Sequence, residues 1–442
     1  MGRRWEQVLT LADRYPDLPR EAVLKEDVLR TGLSFSEDAL RIAAGFQPKA
    51  YFIFSFDLVP IRDMPNRENL RAPEEIALRG GALDFRRVIV SVRVNPDSPY
   101  RVELAADGRL VLTLEGEEIS EVEYPRRPSF YRHTLSNGKP LMEIAPVIEW
   151  GYLIYLTTFR LCQYFGREEE CRFCDINENF RQQRSTGRPY TAVKSVAEIL
   201  EALEFIAAED DVSRAYTLTG GSILTKVDGL GEADFYARYA EAIENRFPGR
   251  WISKAVVQAL PPEEVRKLQS AGVRIYHPNY EVWDARLFAI LCRGKQRHVG
   301  REEWIRRILD AADVFGPARV IPNFVAGIEM ARPHGFTNVN EALDSTAEGL
   351  TFFMSHGIVP RFTTWCPEPL SRLGETNREG APLEYHVGLL HRWRGLLEEF
   401  RLQPPPGYGD PGIGKAVFSV SSFMDVVRPD PAAVPVALLP RQ

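Results

Sequence analysis

From about residue 146 onward, short apolar runs alternate with segments of helical periodicity. Six runs have the length and composition of strands: Tyr152–Thr157, Ala215–Leu218, Ile252–Val257, Val273–Tyr276, Val320–Ala326 and Ile358–Thr363. Between them, apolar residues recur at intervals of three and four, as in Val196, Ile199, Leu200 and Leu203. Strands that alternate with helices form parallel sheets, and no G-x-G-x-x-G motif follows the first strand as a Rossmann fold would require. The sequence therefore predicts an α/β fold, either a partial (β/α)6 or a full (β/α)8 barrel of the TIM type.

The barrel segment, residues 146–375, is flanked by two regions of different character. Residues 1–145 predict a small α+β accessory domain, with helices at Trp5–Tyr15, Glu21–Thr31 and Ser36–Ala44 and strands at Tyr51–Leu58, Arg87–Val94, Tyr100–Leu104, Leu110–Leu114 and Ile119–Tyr124. Residues 376–442 predict an extension that packs on the barrel and contains one helix, Tyr385–Phe400. Ser195 and Asn338 are expected to cap two barrel helices.

Composition and charge exclude several classes of protein. The 442 residues include 55 Lys and Arg against 61 Asp and Glu, a net charge of −6, so nucleic acid is not expected as a partner. The longest apolar stretch, Ala145–Phe159, is interrupted by Glu149 and Gly151 and is too short to cross a bilayer. The basic start of the chain lacks a continuous apolar core and a cleavage site, and five cysteines do not make a disulfide framework. We expect a reduced, cytoplasmic protein without a membrane partner.

Three of the five cysteines lie in one loop directly after the first barrel strand: Cys162, Cys171 and Cys174. Three thiolates on one loop can hold a soft metal or an iron–sulfur cluster. Structural zinc normally has a fourth protein ligand, and the nearest histidines, His133 and His277, lie far along the chain on either side. Three ligands without a fourth are typical of a cluster with one open iron, although a zinc site or chance clustering is the alternative.

The loop ends in Cys-x-aromatic-Cys, with Phe173 at the aromatic position, and this pattern resembles the radical S-adenosylmethionine superfamily. In that superfamily three cysteines bind a [4Fe–4S] cluster, and S-adenosylmethionine chelates the fourth iron. The resemblance therefore implies that Cys162, Cys171 and Cys174 are cluster ligands. Eight residues separate Cys162 from Cys171, where three are usual in the superfamily, so the sub-family is not assigned.

The second predicted strand ends in Thr217–Ser222, which reads TLTGGS and resembles the Gly-Gly-Glu segment of the superfamily. The resemblance implies that the backbone of Gly220 and Gly221 receives the amino group of S-adenosylmethionine. Ser222 stands where Glu is usual, so a side-chain role at this position is not carried over. The alternative is that the two glycines form a tight turn and nothing more.

Two later segments extend the resemblance. YHPNYE at the fourth strand is similar to a ribose-binding segment of biotin-synthase-like members, which implies that Asn279 and Glu281 contact the ribose from one strand face. NFVAGIEM at the fifth strand resembles a region near the adenine, with Gly327 and Glu329 as the nearest equivalents. The alternatives are a helix cap for the first pair, and close packing or a surface ion pair for the second.

The two remaining cysteines are too few for a second three-cysteine cluster. Cys292 is expected to be a semi-buried small residue. Cys366 follows the sixth strand, where a substrate would lie, so we keep it as a catalytic candidate that could donate or accept a hydrogen atom, with simple packing as the alternative.

The resemblance implies an oxygen-sensitive radical S-adenosylmethionine enzyme. Such an enzyme uses the [4Fe–4S] cluster to cleave S-adenosylmethionine reductively, and the resulting 5′-deoxyadenosyl radical abstracts hydrogen from a substrate. We expect a small-molecule substrate and an electron donor such as flavodoxin or ferredoxin. The alternatives left open are modification of a peptide or of tRNA, and a non-catalytic iron–sulfur or zinc scaffold protein.

Overall fold

The computed structural model describes residues 2–51, 53–60, 63, 71–166, 168–185, 187 and 190–428. Its helices are α1 (Arg3–Arg14), α2 (Arg20–Thr31), α3 (Glu37–Ala43), α4 (Leu141–Ile144), α5 (Ile176–Ser185), α6 (Val196–Glu209), α7 (Glu232–Arg246), α8 (Pro262–Ser270), α9 (Ala285–Leu291), α10 (Arg293–His298), α11 (Arg301–Phe315), α12 (Val339–Ser355) and α13 (Leu383–Glu399). Its strands are β1 (Ser34–Phe35), β2 (Glu75–Gly80), β3 (Phe85–Ser91), β4 (Tyr100–Leu104), β5 (Leu110–Leu114), β6 (Glu117–Glu123), β7 (Val147–Ile148), β8 (Leu153–Phe159), β9 (Ala215–Gly220), β10 (Ile252–Val257), β11 (Ile275–Pro278), β12 (Asn323–Ala326) and β13 (Arg361–Thr364).

The amino-terminal strands form one sheet in the order β1-β4-β5-β6-β2-β3, in which every pair except β1–β4 is antiparallel. The β5–β6 hairpin turns at Glu115 and Gly116, which both have positive φ, 52° and 87°, as a two-residue hairpin loop requires. Helix α2 packs on β3 and is buried along its whole length after Arg20. The sequence thus predicts the later strands of this sheet correctly but misses β1 and β2.

The predicted strand at Tyr51–Leu58 is wrong over its described residues. Tyr51 and Phe56 have φ values of 52° and 50°, a left-handed conformation that a strand cannot contain. The backbone N–H of Phe56 donates to Glu368 Oε1 at 2.7 Å rather than to a neighbouring strand. This segment is therefore an irregular arm, held by carboxylates from the barrel.

The barrel contains six parallel strands among the described residues. β8, β9, β10 and β11 pair side by side in parallel, and β12 pairs with β13 in the same way. Parallel bridges from Tyr276 to Val320 and from Glu281 to Phe324 connect the two groups. Each of the six predicted apolar runs overlaps one of these strands, so the expected parallel α/β architecture is confirmed in its six-stranded form.

The predicted helix caps in the barrel are also confirmed. The Ser195 side chain accepts a hydrogen bond from the Glu198 backbone N–H, and the Glu198 carboxylate accepts one from the Ser195 N–H, which makes a complete capping box at α6. The Asn338 side chain accepts from the Asn340 and Glu341 N–H groups at the start of α12. Both helices consequently begin where the sequence pattern places them.

The side of the barrel between β13 and β8 carries chain segments from outside the six strands. The Thr364 N–H donates to Val420 O at 3.1 Å, and the Ser91 N–H at the end of β3 donates to Ser419 O at 3.0 Å. β7 pairs antiparallel with β8 on its other side. Residues 429–442 of the predicted extension lie outside the described residues. No described helix has both the length and the apolar character needed to cross a membrane.

Candidate cofactor-binding site

The cysteine loop leaves the carboxyl end of β8 and is anchored near both of its ends. The Cys162 N–H donates to Asn177 Oδ1 at 2.7 Å, and the Asn177 side-chain amide donates back to Cys162 O at 3.2 Å. Near the other end, Cys171 forms an antiparallel bridge with Cys292, and the Arg172 N–H donates to Leu291 O at 2.8 Å. The loop is therefore held between α5 and the α9–α10 junction, at the end of the barrel where such folds place their active sites.

A cavity of about 220 Å³ lies beneath this loop. It is lined by all three loop cysteines and by most of the other residues singled out in the sequence: Cys162, Cys171, Cys174, Phe173, Gly220, Gly221, Ser222, Asn279, Glu281 and Cys366. These residues come from four regions of the chain that are far apart in sequence. The fold brings them to one site because the carboxyl ends of parallel strands meet at one edge of the sheet.

The surroundings of the cysteines suit thiolates that are bound to a positive group. Burial raises the pKa of Cys162 to about 12 and that of Cys174 well above its ordinary value. Hydrogen bonds from the Tyr164 and Ser222 backbone N–H groups and from the Ser222 hydroxyl act in the opposite direction on Cys162, and the Ile176 N–H does so on Cys174. Ser222, at the position where the superfamily has Glu, thus faces the sulfur of a predicted ligand.

Among the described residues, no group of three or more His, Cys, Asp or Glu side chains is arranged to hold a single metal ion. All three thiols nevertheless line the same cavity. In a four-iron cluster each cysteine binds a different iron, so its ligands need not converge on one point.

Gly220 and Gly221 allow β9 to approach the cysteine loop closely. A Cβ atom on Gly221 would lie 2.4 Å from Cys162 Cα, and one on Gly220 would lie 2.3 Å from Phe159 O, both far inside contact distance. The Gly221 N–H donates to Phe159 O at 3.2 Å. Only glycine fits at these two positions, and their backbone forms part of the cavity wall.

Asn279 and Glu281 both line the cavity, but they do not share a strand face. β11 ends at Pro278, and the two residues lie in the chain that follows, where Glu281 has a φ of 84°. Lys295 of α10 donates to Glu281 Oε1 at 2.6 Å and to Asn279 O at 2.9 Å. The side-chain oxygen of Asn279 is buried without a hydrogen-bond partner, so this wall offers an unused acceptor to a ligand.

Gly327 and Glu329 follow β12, but they are not among the described residues that line the cavity. Gly327 has a φ of 107°, and its N–H donates to Glu329 Oε2 at 2.8 Å. Glu329 Oε1 accepts from the Thr346 hydroxyl at 3.2 Å. Burial raises the pKa of Glu329 to about 7. The contacts of Glu329 hold the loop after β12 against α12, behind the cavity wall.

The amino-terminal arm contributes to the site, which sequence reasoning missed. Ile53, Phe54 and Phe56 line the cavity. The Ser55 hydroxyl bridges two buried carboxyl groups: it lies 2.8 Å from Asp175 Oδ2 and 3.1 Å from Glu368 Oε1. No local pattern in the arm announces these contacts, because both partners lie more than 100 residues away. Asp175, directly after Cys174, was the one visible signal.

Cys366 lies where the arm meets the cavity. Its thiol donates to Phe56 O at 3.6 Å, and burial raises its pKa to about 12. A protonated thiol in a cavity wall has a hydrogen atom to give, so Cys366 remains a candidate. Cys292 is fully buried and contacts Cys171, which places it in the anchoring of the loop.

The residues present fit an iron–sulfur cluster and a polar organic cofactor. The cluster would have three thiols of one loop with N–H donors to at least two of them. The cofactor would have the glycine backbone and the free side-chain oxygen of Asn279 as polar partners.

No family model matches the chain, and no curated relative matches it. Among solved structures it is similar to methylornithine synthase (PylB), with 11% identity over 65% of this chain and 84% of that one and a TM-score of 0.39. It is also similar to HydG, a maturase of the [FeFe]-hydrogenase, with 14% identity over 58% of this chain and 52% of that one and a TM-score of 0.40. A third similar structure is coproporphyrinogen III oxidase (HemN) from Escherichia coli, a radical SAM enzyme, with 11% identity over 56% of this chain and 52% of that one and a TM-score of 0.32. The chain thus spans about half the length of the last two. These likenesses are distant, and the function below rests on the residues of the site itself.

Proposed function

We propose that this protein is a radical S-adenosylmethionine enzyme. The observation that carries the proposal is the joint placement of Cys162, Cys171 and Cys174 around one cavity at the carboxyl end of a six-stranded parallel barrel. Gly220, Gly221 and the unpartnered side-chain oxygen of Asn279 line the same cavity, in the strand order that the superfamily motifs follow.

In this proposal the three cysteines hold a [4Fe–4S] cluster, and the backbone of Gly220 and Gly221, with Asn279 and Glu281, holds S-adenosylmethionine. When bound, the two groups together supply a 5′-deoxyadenosyl radical that abstracts a hydrogen atom. The chain's own residues bind and orient these two groups. The Ser222 N–H and hydroxyl stabilise the thiolate of Cys162, and Lys295 fixes the Glu281 side chain.

We propose a small-molecule substrate, because three separate parts of the chain surround a cavity of only about 220 Å³. The arm supplies Phe54 and Phe56, the barrel supplies the strand ends, and the extension supplies Phe418 and Val420. An enclosed site keeps water and oxygen away from a reactive intermediate. It also leaves little room for a folded macromolecule. An external one-electron donor such as flavodoxin or ferredoxin completes the proposed reaction.

The test is anaerobic reconstitution with iron and sulfide, then reduction with dithionite in the presence of S-adenosylmethionine. We expect about four iron atoms per chain and 5′-deoxyadenosine detectable by chromatography. The Cys162→Ala, Cys171→Ala and Cys174→Ala variants should each lose the iron. Cys366→Ala is the matched control for iron content, because it removes a cysteine from the same cavity but not from the loop.

Two results would reject the proposal. Stoichiometric zinc with no iron after reconstitution would establish a zinc scaffold protein instead. Iron content that is insensitive to the three loop substitutions would place the cluster ligands elsewhere. If product formation needs a candidate substrate as well, 5′-deoxyadenosine should still form slowly without it, and the cysteine variants remain the comparison.

A further inference from the structure

The amino-terminal end of the barrel, opposite the cysteine loop, carries two oppositely charged side chains that face the cavity. Glu149 precedes β8, and Arg361 is the first residue of β13; both line the cavity. We call these two residues, together with Tyr155, the cavity floor. No ion pair within 4 Å joins Glu149 or Arg361 to any described residue. Buried charges are normally paired, and Glu149 is buried while Arg361 is half-buried, so two such groups without an ion pair in one cavity need a reason.

Arg361 uses only part of its hydrogen-bonding capacity. One terminal nitrogen donates to the Tyr408 hydroxyl at 3.0 Å, and the guanidinium lies over the Tyr408 and Phe418 rings at 5.5 and 5.6 Å. These contacts orient the group. Its Nε is buried without a hydrogen-bond partner. Since a guanidinium matches a carboxylate in a two-point arrangement, the remaining donors suit a carboxylate in the cavity.

Glu149 is presented to the cavity by a strained turn. It is 2% exposed, and its Oε2 has no hydrogen-bond partner. Glu149 and Trp150 have φ values of 55° and 58°, which cost energy in residues other than glycine. Both N–H groups donate to Glu75 at 2.7 Å, and these bonds hold the turn in place. A strained turn that is fixed so firmly, and that carries an unsatisfied carboxyl group, is typical of a functional position.

The neighbouring Lys254 acts on Glu149 through its charge but forms no ion pair with it within 4 Å. Lys254 donates to Gly407 O and lies over the Tyr408 ring at 3.9 Å, so its ammonium group is anchored on the extension. Burial lowers the pKa of Lys254 to about 7 and raises that of Glu149 to about 7. With Lys254 neutral and Glu149 ionised, Glu149 and Arg361 are the two charges of the floor, and neither forms an ion pair with a described residue.

We propose that the cavity floor binds a substrate of amino-acid type, with its carboxylate on Arg361 and its ammonium group on Glu149. A zwitterion satisfies both unused groups at once, and it forms a balanced set of charges with ionised Glu149, Arg361 and a neutral Lys254. That the bound amino acid is the enzyme's substrate rests on the proposed function. The binding itself involves no cluster and can be measured without one.

The test uses the full chain without cofactors and follows thermal unfolding with millimolar ligand. The probes are the twenty proteinogenic L-amino acids, one at a time, each beside its N-acetyl derivative and its carboxamide. At least one amino acid should raise the Tm of the wild type by roughly 2 °C, as a ligand well above its Kd does. Its N-acetyl derivative lacks the ammonium group and its carboxamide lacks the carboxylate, so neither should do so.

Arg361→Gln should abolish the shift for every amino acid, whereas Arg319→Gln, at an exposed arginine, should leave it unchanged. Glu149→Gln should remove the discrimination, so that the N-acetyl derivative binds as well as its parent. If Arg361→Gln does not fold, the Glu149→Gln variant still tests the proposal. The proposal is overturned if no amino acid raises the Tm of the wild type, if a shift survives in folded Arg361→Gln, or if Glu149→Gln still rejects the N-acetyl derivative.

These outcomes are separate from those of the proposed function. Formation of 5′-deoxyadenosine without amino-acid binding would reject the amino-acid substrate and would still support the proposed radical enzyme. Amino-acid binding in a protein that never holds iron would retain the floor as a binding site and reject the enzyme class.

Discussion

Gly221 lies so close to Cys162 that a Cβ atom on the glycine would stand 2.4 Å from the cysteine Cα and 2.5 Å from its Cβ. The obstructing atoms are the backbone and first side-chain carbon of a predicted cluster ligand, which cannot move aside without moving the loop. The end of β9 therefore sets the position of the cysteine loop directly, through van der Waals contact.

The first prediction concerns this contact. Gly221→Ala should displace Cys162 and reduce the iron retained after reconstitution severalfold, measured by iron analysis and the visible absorption of the cluster. The control is Gly395→Ala in helix α13, where an added Cβ meets nothing within 4 Å. That change should leave iron content unaltered and stabilise the protein by up to about 1 kcal/mol. Full iron content in Gly221→Ala would show that this contact does not set the position of Cys162.

A second prediction concerns the buried ion pair of Glu281 and Lys295, whose side chains are each 8% exposed. Glu281→Gln leaves the ammonium group buried without its counter-charge, so the free energy of unfolding should fall by roughly 3 kcal/mol. The double variant with Lys295→Met should recover part of that loss. Urea unfolding of the apo protein measures both.

Glu204→Gln serves as the comparison, because Glu204 pairs with Arg246 in an exposed position. It should change the free energy of unfolding by less than about 1 kcal/mol. An equally small effect of Glu281→Gln would mean that the buried pair contributes no more than a surface one.

A third prediction follows from Glu329, whose pKa burial raises from 4.5 to about 7. Between these values the folded protein holds a proton that the unfolded chain has released. The stabilisation from this proton is fully present below pH 4.5 and is lost as the pH rises through about 7. Glu329→Gln stays neutral throughout, so it should gain stability relative to the wild type at pH 8, on the order of 1 to 3 kcal/mol.

The measurement is urea unfolding of both proteins at pH 5 and pH 8. Since other buried acids titrate too, the quantity to compare is the difference between the variant and the wild type at each pH. A difference that does not change with pH would show that Glu329 has an ordinary pKa.

A fourth prediction concerns the bridge made by Ser55 between Asp175 and Glu368. Ser55→Ala removes the hydroxyl that the two buried carboxyl groups share, which should destabilise the protein by about 1 to 3 kcal/mol. The control is Ser185→Ala, an exposed hydroxyl at the end of α5. Limited proteolysis should cut the amino-terminal arm of the Ser55 variant sooner than that of the wild type.

The barrel could be predicted from the sequence because each strand–helix unit is encoded locally. The capping box of Ser195 and Glu198 lies within four residues, and the apolar period of α6 within one helix. The cysteine loop could be predicted equally well, since the spacing of its cysteines and its position after a strand are both visible in the sequence. These features need no knowledge of distant contacts.

The amino-terminal arm could not be predicted in the same way. Its apolar residues imitate a strand, but the backbone turns at Phe56 because Glu368, far along the chain, accepts its N–H. The resemblance of NFVAGIEM places Glu329 near a cofactor, yet the left-handed Gly327 donates its N–H to that carboxylate, which lies behind the cavity wall. In both cases a long-range or conformational detail overrides the local pattern.

Residues 418–420 form one side of the cavity, and they bond both to β13 and to the last residue of β3. Translation proceeds from the amino terminus, so this side is the last part of the cavity wall to leave the ribosome. The cysteine loop and every barrel strand emerge about 50 residues or more earlier. A chain released before this segment has been made would therefore carry every barrel strand and the cysteine loop but would lack this side of the cavity.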